Sequence, residues 1–163
     1  MILSLTGFMG CGKSSTGREL ASRLGARFVD LDERIVARSG RAIPDIFRTG
    51  GESAFRAVEL ETLRDVLDDT GENETLVLAL GGGALTLPEA RELIFSRTRC
   101  VWLRTRLETI RQRLGATDAS RPLFRDADAL YARRESLYAQ APFVVDTDEK
   151  TPAEVAGEII ALR

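Results

Sequence analysis

The sequence predicts an α/β fold: one domain built on a five-stranded parallel sheet with helices on both faces. Three observations predict it. Short apolar runs alternate with segments of helical periodicity along the chain, and parallel strands need a helix for each return crossover. The run at 75–80 is almost continuously apolar, as a strand covered on both faces would be. A glycine-rich loop, a pair of aspartates and a triple glycine each fall just after a predicted strand, at the carboxyl ends where open α/β sheets bind ligands. At 163 residues the chain can bury a core without disulfide or metal staples.

Residues 2–6, Ile-Leu-Ser-Leu-Thr, predict the first buried strand. Gly7-Phe8-Met9-Gly10-Cys11-Gly12-Lys13-Ser14 follows at once and fits the phosphate-binding pattern GxxxxGK[ST]. Glycines at 7, 10 and 12 allow positive φ, so that successive N–H groups can turn toward phosphate oxygens at a helix N-terminus. Lys13 would reach the β and γ phosphates, and the Ser14 hydroxyl would sit on Mg²⁺. The first helix runs to Leu24 with Gly25 past its end, and 27–30 reads as a second short strand. Helical spacing resumes over 31–38 and stops at Ser39-Gly40; residues 43–48 predict one short helical turn. After Gly50-Gly51 a longer helix sets Phe55, Val58, Thr62, Leu63 and Val66 on one face and closes at Gly71. The third strand, 75–80, breaks at Gly81-Gly82-Gly83, and a helix follows with Pro88 near its start. Residues 99–103 predict the fourth strand, with Thr105 and Glu108 spaced as a capping box for the next helix. A polar loop over 115–125, a helix over 126–141, a fifth strand over 143–146 and a capping box at Thr151-Pro152-Ala153-Glu154 complete the chain.

Composition narrows the function. A formal net charge of −2 and a pI near 5.4 argue against nucleic acid as a partner, although Lys and Arg number 23. The chain has no histidine, which removes imidazole bases, Ser-His-Asp triads and His-based metal sites. Its chemistry must run on carboxylates, cations and backbone dipoles. Cys11 and Cys100 lie far apart and read as reduced thiols. No signal-type stretch precedes the first strand and no apolar run approaches membrane-spanning length, so a cytoplasmic protein with no membrane partner is expected.

The remaining candidates carry two readings each. Asp30 and Asp32 point the same way if the chain stays extended, one holding Mg²⁺ through water and the other accepting a hydrogen bond from a substrate hydroxyl; alternatively Asp32 caps the following helix. The triple glycine is either a tight exit from the sheet or a backbone surface against which a small ligand packs. Arg56 and Glu59, three apart, would ordinarily be a solvated pair, and Arg133 and Arg134, like Arg97, Arg99, Arg104, Arg106, Arg111 and Arg113, would ordinarily lie on solvated faces. Cys11 either carries a reactive thiolate, favoured by the helix N-terminus and Lys13, or packs as a small apolar group. Asp68-Asp69-Thr70-Gly71 matches the DxxG of GTPases, but it precedes a strand and reads as a helix end; Asn73 lies in no NKxD motif.

Taken together, Gly7 to Ser14, Asp30-Leu31-Asp32, Gly51-Glu52-x-x-Phe55-Arg56-x-x-Glu59, Gly81-Gly82-Gly83, Arg121-Pro122-Leu123 and Arg134-x-x-Leu137-Tyr138 resemble the shikimate kinase family over nearly the whole chain. The resemblance implies a P-loop fold like that of nucleoside monophosphate kinases, with strand order 2-3-1-4-5. It implies a substrate-binding segment over about 31–62 and a lid over about 115–126, with phosphate transferred from ATP, with Mg²⁺, to the 3-hydroxyl of shikimate; a monomer is expected. By position, Asp32 resembles the residue that binds the shikimate hydroxyls and accepts the proton, and Asp30 the outer-sphere Mg²⁺ partner beside Ser14. Arg56, Arg134, Gly81 and Gly82 resemble the shikimate clamp, Phe47 and Phe55 its walls, and Glu59 the residue that steadies Arg56. Gly10, Cys11, Gly12, Lys13, Ser14 and Ser15 would surround the phosphates, Arg121 would reach them from the lid, and Arg113 would stack on adenine. Lys13, Asp32 and Arg121 are thus the implied catalytic residues. Ser136 and Ser15 stand where the family often has Pro and Thr, and neither change removes a functional group. Two other functions fit less of the pattern: a kinase of gluconate or a nucleotide, and a regulatory nucleotide switch.

Overall fold

The computed structural model describes residues 1–115 and 126–162. Within them the chain forms β1 (Ile2–Thr6), α1 (Lys13–Leu24), β2 (Arg27–Asp30), α2 (Leu31–Ser39), α3 (Ile43–Asp68), β3 (Leu76–Ala79), α4 (Pro88–Arg97), β4 (Arg99–Arg104), α5 (Leu107–Leu114), α6 (Ala127–Tyr138), β5 (Phe143–Asp146) and α7 (Pro152–Ala161). The five strands lie in the order β2-β3-β1-β4-β5, every neighbouring pair parallel.

Alternation along the central strands divides the core. Leu3 and Leu5 of β1, Val77 of β3 and Val101 and Leu103 of β4 face Leu20 of α1 and Val155 and Ile159 of α7. On the other face, Leu76 and Leu78 of β3 and Trp102 of β4 meet Leu31 and Ile35 of α2, Leu63 and Leu67 of α3, Ile94 of α4 and Tyr138 of α6. Because both faces are covered, β3 can be apolar at every position. The buried Ser4 hydroxyl on β1 pairs with Thr98 Oγ1 at 2.6 Å, and Thr98 Oγ1 donates in turn to Ile94 O at 2.7 Å.

Helix boundaries follow local chemistry in most places. Gly25 and Gly40 end α1 and α2 in the left-handed region, and Thr151 with Glu154 closes a capping box at α7. The predicted break at Gly50-Gly51 is present: Gly51 sits at φ 74, ψ −173, outside the helical region, and divides α3 into a short helix from Ile43 and a longer one from Glu52. The same helix stops at Asp68, short of Gly71. The box expected at Thr105 and Glu108 does not form. Thr105 Oγ1 instead pairs with Thr147 Oγ1 across the ends of β4 and β5, and Asp148 caps α5 from that neighbouring loop, accepting from Arg106 N at 3.3 Å and from Thr109 Oγ1. The helix expected over 126–141 spans Ala127–Tyr138.

Candidate active site

The strand ends raise a cleft over β1, β2 and β3. Its floor at one end is the glycine loop, where Gly7, Gly10 and Gly12 have φ of 144, 76 and 93. Gly7 also tolerates no side chain, since a Cβ there would lie 2.7 Å from Leu103 O. Lys13, the first residue of α1, folds back over the loop and donates to Gly7 O at 2.8 Å and Phe8 O at 3.0 Å. An ammonium held on two carbonyls above a helix N-terminus is already where an anion's charge would be met.

Ser14 and Asp30 meet beside it. Ser14 Oγ donates to Asp30 Oδ2 at 2.5 Å, while Asp30 Oδ1 accepts from Asp32 N at 3.0 Å and Glu33 N at 3.3 Å. The extended spacing that would have aligned Asp30 and Asp32 therefore does not hold: α2 begins at Leu31, and Asp30, not Asp32, is its N-cap. Asp32 lies one residue into the helix and looks toward Gly81, where a Cβ would fall 2.9 Å from Asp32 Oδ1 and 3.1 Å from Glu59 Oε2. Although the residue keeps solvent exposure at the open cleft, loss of hydration around its carboxyl and then the charge of Asp30 hold its pKa above the ordinary 3.8, against the pull of Lys13 and Arg56.

Arg56 and Glu59 are not a solvated pair. They form a buried salt bridge on α3, Nη1 to Oε1 at 2.7 Å, with side chains 10% and 2% exposed. Burial pushes the Glu59 carboxyl above its ordinary value even with Arg56 beside it. Removing one partner of such a pair costs about 3–5 kcal/mol, because the other charge stays buried. Arg56 Nε and Glu59 Oε2 have no hydrogen-bond partner among the described residues, and the carboxylate of Glu52 stands 3.5 Å from that Nε. Against this pair packs the triple glycine: a Cβ on Gly83 would lie 2.2 Å from Arg56 Nη2, and one on Gly82 would lie 3.4 Å from Arg134 Nη1. The glycines are there so that two guanidinium groups from α3 and α6 can lie against bare backbone.

Arg56 and Arg134 line a cleft of about 510 Å³ with Met9, Phe47, Thr86 and Leu137. Phe47 lies half exposed and stacks on Phe55 with ring centroids 4.6 Å apart; Phe55 itself is buried behind it. A second hollow of about 360 Å³ joins Met9, Gly10, Gly12, Lys13, Ser14, Ser15, Asp30, Asp32 and Gly82. Across the glycine loop, a third includes Cys11, Ser15, Arg113, Thr147 and Pro152. There Arg113 donates to Thr147 O at 3.0 Å and reaches Gly10 O at 3.5 Å. Arg121 lies outside the described residues, as does most of the segment expected to form the lid.

Cys11 shows a feature of each of its two readings: Lys13 Nζ stands 3.7 Å from its Sγ, as the first requires, but the thiol is buried, as the second requires. Its side chain is 1% exposed and packs in the core with Leu3, Leu5 and Val101, while its N–H closes the loop on Phe8 O at 3.2 Å. Burial lifts the Cys100 thiol to about 12. Sequence reasoning passed over Met9, whose position in the loop pattern is free, and Tyr138, which it quoted only as part of a motif. Met9 borders both the loop and the arginine-lined cleft, and Tyr138 Oη donates to Gly82 O at 2.5 Å. Nothing in a single sequence marks such residues, because their partners come from other elements.

Comparison with known proteins bears on the whole cleft. The family model described as shikimate kinase matches residues 9–162. Shikimate kinase of Parasynechococcus marenigrum is 42% identical over 98% of this chain and 84% of its own length. That of Thermus thermophilus is 42% identical over 97% of this chain and 87% of its own. The structure of shikimate kinase from Acinetobacter baumannii in complex with shikimate superposes with a TM-score of 0.89, at 34% identity, over 99% of this chain and 91% of the other. With the glycine loop, the paired arginines and the triple glycine in one cleft and a match that spans nearly every residue, the chain belongs to the shikimate kinase family.

Proposed function

We propose that the protein transfers the γ-phosphoryl group of ATP to the 3-hydroxyl of shikimate, yielding shikimate 3-phosphate and ADP. The observation that carries this reading is the convergence of Arg56, Arg134 and Asp32, from three different helices, on a glycine platform beside a phosphate loop. Guanidinium forks match a planar carboxylate in geometry and charge, which accounts for arginine at both positions. A gluconate or nucleotide acceptor would use the loop and lid but supplies less reason for two arginines against a triple glycine. A regulatory switch is disfavoured too, since Asp68 ends α3 and Asp69-Thr70-Gly71 leads into β3.

In this reading the acceptor hydroxyl oxygen forms a bond to the γ-phosphorus as the bond to the β-γ bridging oxygen breaks, and the hydroxyl proton passes to Asp32. A carboxylate whose pKa is raised is a better base than an ordinary one. The transition state is loose, so the protein mainly aligns the oxygen and offsets charge, through Lys13 and, from the lid, Arg121. Arg113 and Pro152 would bracket the adenine, and Phe47, backed by Phe55, would wall the acceptor ring. Mg²⁺ suits the pair Ser14 and Asp30: a hydroxyl and a carboxylate already 2.5 Å apart are hard oxygen donors of the kind this ion takes together with phosphates and water. When bound it would neutralise phosphate charge. We further propose a monomer working in the cytoplasm, a compartment that suits the two free thiols Cys11 and Cys100.

The test is a coupled ADP-release assay with shikimate, quinate, gluconate, nucleoside monophosphates and no acceptor. Turnover should depend on shikimate. ATP hydrolysis indifferent to shikimate, or preference for a nucleotide, would overturn the assignment.

A further inference from the structure

Tyr138, the last residue of α6, is 1% exposed, and its ring stands 6.0 Å from that of Trp102. A buried phenol needs its hydroxyl satisfied, and here it is satisfied by the acceptor cleft rather than by the core. Oη donates to Gly82 O at 2.5 Å, and the Arg134 guanidinium lies against the same glycine, 3.4 Å from where its Cβ would be. A phenol has one proton to give, and it goes to the carbonyl, which leaves the Oη lone pairs for a donor such as the nearby guanidinium. The direction of the bond to Gly82 is therefore settled.

We infer that Tyr138 is a positioning residue for the acceptor's carboxylate, holding Arg134 and the Gly82 peptide in register with each other. The inference rests on the reading of Arg134 as part of the carboxylate clamp. Arg134 lies one helical turn before Tyr138, so the two side chains share a face of α6. Its long chain would otherwise sample many rotamers, and a rigid, buried ring one turn away with a pinned glycine peptide against the guanidinium restricts that freedom while leaving N–H groups for a ligand. The same hydroxyl pins the carbonyl of Gly82, whose Cα lies close enough to Arg134 that a Cβ would sit 3.4 Å from Nη1. Because the peptide is planar and trans, fixing that carbonyl also directs the Gly83 N–H to the opposite side. One hydroxyl thus sets an arginine and a stretch of glycine backbone that has no side chains of its own to hold it.

The experiment is steady-state kinetics of Tyr138→Phe with shikimate and with its methyl ester, which keeps the ring hydroxyls and lacks the charge. Arg134→Ala and Trp102→Phe are measured alongside. Tyr138→Phe should raise KM for shikimate about tenfold, leave kcat and KM for ATP within about twofold, and leave kcat/KM for the ester unchanged. Trp102→Phe disturbs the same buried ring but spares the hydroxyl, so it should leave KM for shikimate within about twofold. If Tyr138→Phe leaves KM for shikimate unchanged, lowers acid and ester alike, or is matched by Trp102→Phe, the hydroxyl has no positioning role. Arg134→Ala reports on the underlying reading separately. It should lose about tenfold of the discrimination between acid and ester, and full discrimination in that variant would overturn the clamp itself.

Discussion

The two ends of the cleft are built in different ways. At the phosphate end the contacts come from backbone: positive-φ glycines, the first turn of α1 and a lysine lying over loop carbonyls, all within residues 7–14. At the acceptor end they come from side chains on α2, α3 and α6, brought together only because β2, β3 and β1 are neighbours in the sheet. Glycine serves both ends for opposite reasons. In the loop it supplies a backbone conformation; after β3 it supplies empty space for Arg56 and Arg134. A backbone site can thus be written as one short pattern, whereas a side-chain site must be written as positions scattered across the fold.

The largest effect expected from breaking this division is at Asp32. Asp32→Asn should lower kcat by about two to four orders of magnitude with nucleotide still bound, since it removes the proposed proton acceptor and leaves the loop intact. Asp30→Asn should keep most of kcat and raise the Mg²⁺ requirement about tenfold, because an amide can still cap α2 and meet Ser14. Kinetics at varied Mg²⁺ and nucleotide titration of both variants check this; identical behaviour would contradict separate roles. The pH profile belongs to the same test. Asp32 must be ionised to accept a proton, so activity falls as pH drops through its pKa, and because that pKa is raised the acid limb of kcat/KM should lie above 3.8.

A smaller and more selective effect is expected from adding one methyl group at either end. Gly12 has φ 93, and a Cβ there would make only an ordinary contact with Thr16 Oγ1 at 3.8 Å, so Gly12→Ala costs about 1–2 kcal/mol of backbone strain in the loop. KM for ATP should rise about tenfold and KM for shikimate should not. Gly83→Ala has no positive φ to violate, but its Cβ would lie 2.2 Å from Arg56 Nη2, so the guanidinium must move. There KM for shikimate should rise about tenfold and KM for ATP should hold. Variants that raise both constants together would show that the two ends are not independent.

The same division explains what could be read from sequence. The helix ends at Gly25 and Gly40 and the capping box at Thr151 follow from local pattern, the strand order from the family resemblance, and all of them stand in the structure. Apart from a few helix ends, the misreadings concern polar side chains with a choice of partners. Thr105 could cap α5 or pair with Thr147, and the closeness of β4 and β5 decides for Thr147. Asp30 and Asp32 could stay aligned only if the strand ran on, but Leu31 buries completely as the first residue of α2. Arg56 and Glu59 have the spacing of a surface pair, and only the packing of α3 beneath the triple glycine reveals them as buried.

The central claim is that this cleft delivers phosphate to a hydroxyl of a carboxylate-bearing ring held by Arg56 and Arg134. Phosphorus NMR of a single reaction mixture tests it most directly. With ATP, Mg²⁺ and shikimate, one new phosphomonoester signal should grow, coupled to the proton on C3, in equal amount with ADP and with little inorganic phosphate. Inorganic phosphate growing in step with ADP while shikimate stays unchanged would contradict the account.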